Sequence, residues 1–240
     1  MTVILYDIPS KDGTPWSLNP WKTRMILNYK NIDYKTQWLE YPDIIPTLKS
    51  VGLAPNNPED VGYGGDYTIP AIRFENGEHM MDSWKIVFEL EKQYPEPPLQ
   101  LQSPVVDQVR DHMKKILIAI QANTHPITPN VLSTESKEFF QIVREEDWGM
   151  PLTQLLEEKG GELPWKNVEA PAKVMADWLK KHDGPFFLGS IVSYADFIFV
   201  SFLYYLKELD EVKMFERFVA LDDVFVKLYD ASTEWLMKRD

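Results

Sequence analysis

The chain has 240 residues, of which 37 are acidic and 25 are basic, so its formal net charge is -12. No segment carries the clustered Lys and Arg that binding to a phosphate backbone requires, and we expect no nucleic-acid partner. Hydrophobic residues make up 44% of the chain, which is typical of a globular protein with a packed core. The chain has no cysteine, which excludes disulfides, thiolate metal sites and a cysteine nucleophile.

The most hydrophobic stretch, residues 186–206, is nearly long enough to cross a bilayer. Asp196 lies in its middle, and Gly189 and Ser190 interrupt its start, so the stretch predicts a buried core helix. The N-terminus lacks the basic start and long apolar run of a signal peptide. We therefore expect a cytoplasmic protein without a membrane partner. The four histidines are scattered without ligand spacing, and no metal site is expected.

The first elements of the chain alternate between strand and helix patterns. Residues 3–6 form a short apolar run rich in β-branched side chains, which predicts a buried strand. Asn19-Pro20 is expected to open a helix, because Asn is a favoured N-cap and Pro is favoured at the first helical position. Residues 34–39 alternate between polar and apolar types and predict a second strand.

A long irregular region, residues 41–66, follows the second strand. A short helix is expected around residues 45–51. Residues 52–66 are rich in Gly, Pro and Asn. A loop of this length inside a compact domain is usually functional or mobile.

The pattern then predicts a hairpin and a helix. Residues 68–74 and 78–81 are strand-like, and Asn76-Gly77 between them is a strong turn signal. Residues 82–93 carry helical spacing. The order of elements over residues 1–94 is therefore βαβ, a loop, and ββα.

The composition changes after this α/β unit. A proline-rich linker is expected at residues 95–104, because prolines at this density prevent a helix. The remainder, residues 105–240, is predicted to be all-helical. Its helical patterns cover residues 105–123, 135–159 with a break near Pro151, 170–181, 193–206 and 222–238.

This arrangement resembles the thioredoxin-like fold and helical second domain of glutathione transferases, and four segments in order carry the resemblance. Residues 17–27 resemble the start of the first helix in serine-type members, 68–71 the cis-proline segment, 82–83 the acidic-Ser pair, and 187–197 the helix-starting motif. The insert at 41–66 resembles a fungal-specific A class that is related to bacterial β-etherases. Two positions depart from the family pattern. Leu18 stands where Pro is common, and Asp82 replaces the usual Glu.

The resemblance implies that glutathione is the co-substrate and assigns candidate residues to it. Ser17 aligns with the catalytic serine, and Asn19 remains an alternative partner for the sulfur. The backbone of Ile69, before a cis Pro70, would pair with the cysteinyl unit of glutathione. Ser83 would bind the γ-glutamyl carboxylate and Asp82 its ammonium group, while Lys49 is a candidate for the glycyl carboxylate.

The chemistry required of Ser17 is within the range of ordinary interactions. A free thiol has a pKa of about 8.5, so glutathione is mostly protonated near neutral pH. Lowering that pKa by about two units requires roughly 2.7 kcal/mol. One hydrogen bond to a charged group supplies about 1.5–3 kcal/mol, and a helix N-terminus adds up to about 1 kcal/mol.

The second substrate is expected between the two domains, beside the sulfur and under the loop at residues 52–66. One wall would be the first helix of the helical domain, through His112, Lys115, Ile116 and Ala119, and Trp21 would form the floor or pack in the core. The high aromatic content favours flat aromatic ligands. Conjugation, peroxide reduction and aryl ether cleavage are all compatible with this site, and a non-catalytic carrier of aromatic compounds is the alternative. The resemblance also implies a homodimer.

Ser193-x-x-Asp196 fits a capping box. The same pair of side chains invites a catalytic interpretation. We interpret it as a folding signal at the start of a helix, because its spacing serves the first-turn N–H groups.

Overall fold

The computed structural model describes residues 2–60 and 64–239. Its N-terminal domain contains a four-stranded mixed sheet in the order β2-β1-β3-β4. The strand β1 runs parallel to β2 and antiparallel to β3, and β3 and β4 form the predicted hairpin. The strands are β1 (Val3–Asp7), β2 (Tyr34–Trp38), β3 (Ala71–Arg73) and β4 (His79–Met81).

The described part of this domain also has three α-helices, α1 (Leu18–Tyr29), α2 (Ile44–Ser50) and α3 (Ser83–Gln93), and a 3-10 helix, Tyr41–Asp43. The thioredoxin-like βαβ-ββα order predicted from the sequence is confirmed. The start predicted for α1 is wrong, because the N-cap is Ser17 and not Asn19. Pro20 is therefore the third helical residue. Proline is tolerated there because no N–H in the first turn has an intrahelical partner.

The second domain is helical, as predicted. Its helices are α4 (Pro104–Thr124), α5 (Thr134–Trp148), α6 (Leu152–Lys159), α7 (Glu162–Leu179), α8 (Tyr194–Leu209), α9 (Arg217–Val219), α10 (Asp223–Ala231) and α11 (Thr233–Leu236). A π-helical turn, Glu211–Glu216, precedes α9. Two boundaries differ from the prediction. The helix α7 continues through Pro171 and begins at Glu162, and the single helix expected at 222–238 is interrupted at Ser232.

The connection between α3 and α4 is fixed to both domains. Leu99 is fully buried, its N–H donates to Glu91 Oε1 at 2.8 Å, and its carbonyl accepts from Tyr194 N at 2.9 Å. Lys30 Nζ donates to the carbonyls of Tyr94 and Pro97. These bonds hold the start of α8 close to the end of α3.

The helix α8 forms the centre of the second domain, and nearly all of its residues are buried. It contains residues 194–206 of the hydrophobic stretch that the sequence assigned to a core helix, whereas residues 186–193 of that stretch form turns and isolated bridges before the helix. Within residues 2–60 and 64–239, no helix has the length and apolarity needed to cross a membrane. The capping box predicted at Ser193 and Asp196 is confirmed at its first turn.

A buried ion pair anchors α1 to the sheet. The guanidinium of Arg24 donates to Asp7 Oδ2 at 2.8 Å, and both side chains are inaccessible to solvent. Arg24 also donates to the carbonyl of Arg239 at 2.6 Å, so the C-terminal segment packs against α1. Because burial raises the pKa of Asp7 and Arg24 opposes that rise, the charged carboxylate depends on its partner.

Candidate functional site

Two adjoining clefts lie where α1, α3 and the second domain meet. The smaller cleft, about 110 Å³, lies between the N-terminal ends of α1 and α3 and the segment from Asn56 to Pro70. The larger cleft, about 190 Å³, lies between the two domains. Of the residues that the structure describes, four line both clefts: Asn19, Lys22, Asp82 and Ser83. A molecule in one cleft would therefore be adjacent to a molecule in the other.

The smaller cleft exposes an unpaired backbone edge. The Ile69–Pro70 peptide bond is cis, and both residues line the cleft. Among the described residues, the backbone N–H and C=O of Ile69 have no hydrogen-bond partner. An extended peptide can add to such an edge as a further strand.

The side chain of Asn56 holds the opposite rim of the smaller cleft. Its Nδ2 donates to the carbonyl of Gly65 and to Thr68 Oγ1, each at 3.1 Å. Its backbone N–H donates to the carbonyl of Asp66 at 2.7 Å. This rim belongs to the long loop predicted at residues 52–66, of which residues 61–63 lie outside the described part.

The N-terminal end of α3 faces both clefts. Asp82 caps it with Oδ1 accepting from Trp84 N at 2.9 Å, in a backbone conformation with φ 76°. Burial raises the pKa of Asp82, while this hydrogen bond and the nearby Lys85 and Lys22 oppose the rise. The Ser83 hydroxyl makes no hydrogen bond to any residue that the structure describes, so it is available to a ligand.

The N-terminal end of α1 is uncapped by any side chain. Ser17 is only 8% exposed and makes no capping hydrogen bond. Leu18 and Asn19, which follow it, line the larger cleft, and Asn19 lines both clefts. Asn19 Oδ1 accepts from Lys22 Nζ at 2.8 Å. Ser17 itself therefore lines neither cleft, while Asn19 lies on the surface of both.

Sequence reasoning missed Lys22. It follows Asn19 by three positions on the same helix, so the two side chains share a face. Burial lowers the pKa of Lys22 to about 8, and Asp82 opposes that shift. The sequence did contain a signal for it, because this lysine lies one turn into a helix that starts at a candidate catalytic residue.

The wall expected from α4 faces a different groove. His112, Lys115 and Ala119 line an open groove against α7, where His112 Nε2 lies 2.9 Å from the carbonyl of Pro171, and Ile116 is fully buried. The α4 residues that line the larger cleft are Arg110, Asp111, Met113, Lys114 and Leu117. The prediction is off by about two positions, which is about 200° around a helix of 3.6 residues per turn. In the sequence, the charged residues of this wall have the pattern of a helix face that is exposed to solvent.

Two other predicted residues lie away from the clefts. Trp21 is fully buried, and its ring packs 4.4 Å from that of Tyr204, so it belongs to the core. Lys49 lies on α2 with its Nζ 5.3 Å from the centre of the Tyr67 ring, and it lines neither cleft. Asp60 of the long loop lines the smaller cleft and pairs with Lys85 at 2.6 Å.

Aromatic and apolar side chains complete the larger cleft. Trp84 lies on one side with the Arg110 guanidinium 4.2 Å from its ring centre, and Arg110 pairs with Asp107 and Asp111. From α8, Tyr194 and Ile198 close the other side. The site therefore combines one polar cleft beside an unpaired backbone edge with one largely apolar cleft.

A two-domain fold with this pair of clefts is that of a glutathione transferase, and comparisons with known proteins agree. The family model described as Glutathione S-transferase, N-terminal domain, matches residues 16–93, and that of the C-terminal domain matches residues 101–235. The chain belongs to the glutathione S-transferase family.

Individual relatives are similar along most of their length. The glutathione S-transferase-like protein ustS of Aspergillus flavus is 32% identical over 92% of this chain and 85% of its own. A glutathione S-transferase of Ceriporiopsis subvermispora, crystallised in complex with glutathione, is 32% identical with a TM-score of 0.86 and covers 100% of both chains. The glutathione transferase GSTFuA2 of Phanerochaete chrysosporium is 26% identical with a TM-score of 0.88, again over 100% of both chains.

Proposed function

We propose that this chain binds glutathione in the smaller cleft and activates its thiol at the N-terminal end of α1 for attack on aromatic electrophiles in the larger cleft. The observation that carries the proposal is the meeting of two helix N-termini and the Ile69 edge on adjoining clefts. Each of these three features matches one part of glutathione.

The tripeptide has a natural orientation in the smaller cleft. Its cysteinyl backbone pairs with the N–H and C=O of Ile69. Its γ-glutamyl carboxylate takes the Ser83 hydroxyl and the free N–H groups of α3, and its ammonium approaches Asp82. A helix N-terminus favours carboxylates through both its N–H groups and its dipole. The complex of the Ceriporiopsis relative with glutathione supports this ligand.

The thiol then lies near Ser17 and Asn19, at the positive end of the α1 dipole. Ser17 has a hydroxyl that makes no capping bond, and the Asn19 amide lines both clefts. A hydrogen bond to the thiolate contributes about 1.5–3 kcal/mol. That range covers the roughly 2.7 kcal/mol needed for a pKa shift of about two units. We assign the sulfur to Ser17, with Asn19 as the alternative.

The second substrate occupies the larger cleft. In conjugation, the sulfur attacks the electrophilic carbon, a carbon–sulfur bond forms, and the leaving group departs with its electron pair. The Trp84 ring and the apolar residues of α4 and α8 favour a planar aromatic compound. The likeness to the Phanerochaete glutathione transferase GSTFuA2 supports the relation to a fungal-specific A class, and the proposed relation to etherases rests on the resemblance of the insert at residues 41–66.

The proposal is tested by calorimetry with glutathione and by turnover of a chloro-nitrobenzene or isothiocyanate substrate. We expect saturable glutathione binding and a conjugate whose formation depends on the enzyme. Absence of glutathione binding would refute the proposal. Binding without turnover of either substrate would leave the carrier function as the better description.

Aromatic binding has its own test. Phenolic and polycyclic compounds are expected to displace a fluorescent naphthalene sulfonate from the larger cleft. Met113→Trp, which fills the α4 wall, should weaken displacement, whereas Ala119→Trp in the groove against α7 should not. Displacement that responds to Ala119→Trp alone would place the ligand in the other groove.

We also propose that the protein is a homodimer, as the family resemblance implies. Sedimentation at micromolar concentration should give twice the 28.0 kDa mass of one chain. A sedimentation mass of a single chain would contradict the dimer.

A further inference from the structure

Lys22 occupies the junction of the two clefts, where the bond between the two substrates must form. Among the described residues, it is one of four that line both clefts, and it alone of those four carries a cation. Its Nζ donates to Asn19 Oδ1 at 2.8 Å. The ammonium is thereby held on the cleft side of α1.

The cation is poorly compensated by the protein. Within residues 2–60 and 64–239, no carboxylate oxygen lies within 4.0 Å of Lys22 Nζ. The position, in the second turn of α1 and near the start of α3, is at the positive end of two helix dipoles, which disfavours a cation. An anion between these helix ends would compensate the charge of Lys22 and would also interact favourably with both helix dipoles.

Neighbouring charged groups are mostly engaged elsewhere. Asp82 opposes the lowering of the Lys22 pKa, and its carboxylate also caps α3. Across the smaller cleft Asp60 pairs with Lys85, and across the larger cleft Asp111 pairs with Arg110. Lys114 adds a further cation on α4. Arg110 also pairs with Asp107, so these charged groups balance, and Lys22 is the cation lining both clefts that has no carboxylate partner among the described residues.

We propose that Lys22 is the cation that stabilises the thiolate of bound glutathione and the negative charge on sulfur during attack. This inference rests on the proposed function. The carboxylates of glutathione are a poorer match for Lys22 than the sulfur is, because the N-terminal end of α3 at Ser83 already provides a binding site for one of them. The sulfur is the part of the tripeptide that must lie where the clefts meet.

The protonation behaviour of Lys22 is consistent with this role. Burial lowers its pKa to about 8, so the ammonium form still predominates near neutral pH. A thiolate beside it raises that pKa again, because an opposite charge favours the charged form. Lysine and thiol are thus coupled, and each stabilises the ionised form of the other.

The test compares Lys22→Met with Lys22→Arg and with Lys114→Met, a cation that lines only the larger cleft. An opposite charge within about 4–6 Å shifts a pKa by about 1–3 units. Lys22→Met should therefore raise the pKa of the bound thiol by about one unit, measured by thiolate absorbance against pH. Lys22→Arg and Lys114→Met should leave that pKa close to the wild-type value.

S-methylglutathione, which has no ionisable thiol, distinguishes the two possible anions. Above neutral pH, Lys22→Met should weaken glutathione binding about tenfold and leave S-methylglutathione binding unchanged. Equal weakening of both ligands would assign Lys22 to a carboxylate and overturn the inference. No change in either ligand would also overturn it.

Two further readouts keep the test decisive. If Lys22→Met fails to fold, NMR titration of Lys22 in the wild-type protein should show its pKa rising with glutathione but not with S-methylglutathione. If wild-type protein binds neither ligand, the proposed function fails. If it binds both ligands and the pKa of Lys22 does not respond to the thiolate, the inference about Lys22 fails while the proposed function stands.

Discussion

Helices α1 and α8 both begin directly after a serine, but the two serines lie in opposite surroundings. Ser193 is fully buried in a complete capping box, with Asp196 Oδ2 accepting from its N–H at 2.7 Å and from its hydroxyl at 2.8 Å. Ser17 has the N-cap position without a side-chain capping bond, and the next two residues, Leu18 and Asn19, line the larger cleft. One helix start is closed by the protein, and the other is left open for a ligand.

The two helix starts differ in whether their contacts serve folding or are left for binding a ligand. Asp196 also accepts from Phe187 N at 2.8 Å through its other oxygen, so its carboxylate ties the preceding loop to α8. The open end of α1 has no such restraint, and its position comes from the Arg24–Asp7 ion pair one to two turns further on. The protein thus fixes α1 from within and leaves its first turn without a side-chain cap.

The largest expected effect comes from breaking the internal restraint on α1. Arg24→Met leaves the Asp7 carboxylate buried without its partner, which costs about 3–5 kcal/mol of the free energy of unfolding. Urea denaturation measures the loss. Arg217→Met, in the exposed pair with Glu162, is the matched control and should unfold with the wild-type midpoint. Equal midpoints for all three proteins would show that α1 is held by other contacts.

Removing the closed cap of α8 should have the next largest effect. Asp196→Ala leaves three buried donors unpaired and is expected to cost about 2–4 kcal/mol, since each unsatisfied donor costs about 1–3 kcal/mol. The desolvated charge that is removed with it offsets part of the loss, because burial raises the pKa of Asp196 to about 6. Ser193→Ala should cost about 1 kcal/mol. A stable Asp196→Ala variant would contradict the folding role of the box.

At the open start of α3, a substitution should affect binding without affecting stability. Ser83→Ala is expected to weaken glutathione binding by about 1–3 kcal/mol, the range for a hydrogen bond to a charged group. Isothermal calorimetry gives the affinity, and denaturation gives the stability. The midpoint should not move, because the Ser83 hydroxyl bonds to no described residue. A lower midpoint with unchanged affinity would make Ser83 a cap.

The sequence was a good guide wherever one local pattern decides one element. The capping box at Ser193, the hairpin at Asn76-Gly77 and the alternating strand before Leu39 are local signals, and the structure contains each element. Helix boundaries were less predictable. Pro171 lies inside α7 because packing against the rest of the domain outweighs the local cost of proline, whereas Pro20 lies in the first turn of α1, where proline is tolerated.

The candidate site was less predictable than the fold because a cleft depends on helix rotation. Arg110 and Lys114 line the larger cleft although charged residues at helical spacing usually face solvent. His112 and Lys115, two and one positions away, face α7. Only the packing of α4 between α7 and α8 sets that rotation. Lys22 was missed for the same reason, since its exposure to both clefts is a property of the assembled domains.

The central claim is that the open start of α1 lowers the pKa of the glutathione thiol. The direct measurement is the ultraviolet absorbance of the bound thiolate against pH in wild-type, Ser17→Ala and Asn19→Ala proteins. Wild-type protein should give a thiol pKa well below the free value of about 8.5. Ser17→Ala should raise it by about one unit or more, while glutathione affinity changes little at a pH where the bound thiol is protonated. A rise in Asn19→Ala alone would transfer the role to Asn19, and an unchanged pKa in both variants would contradict the claim.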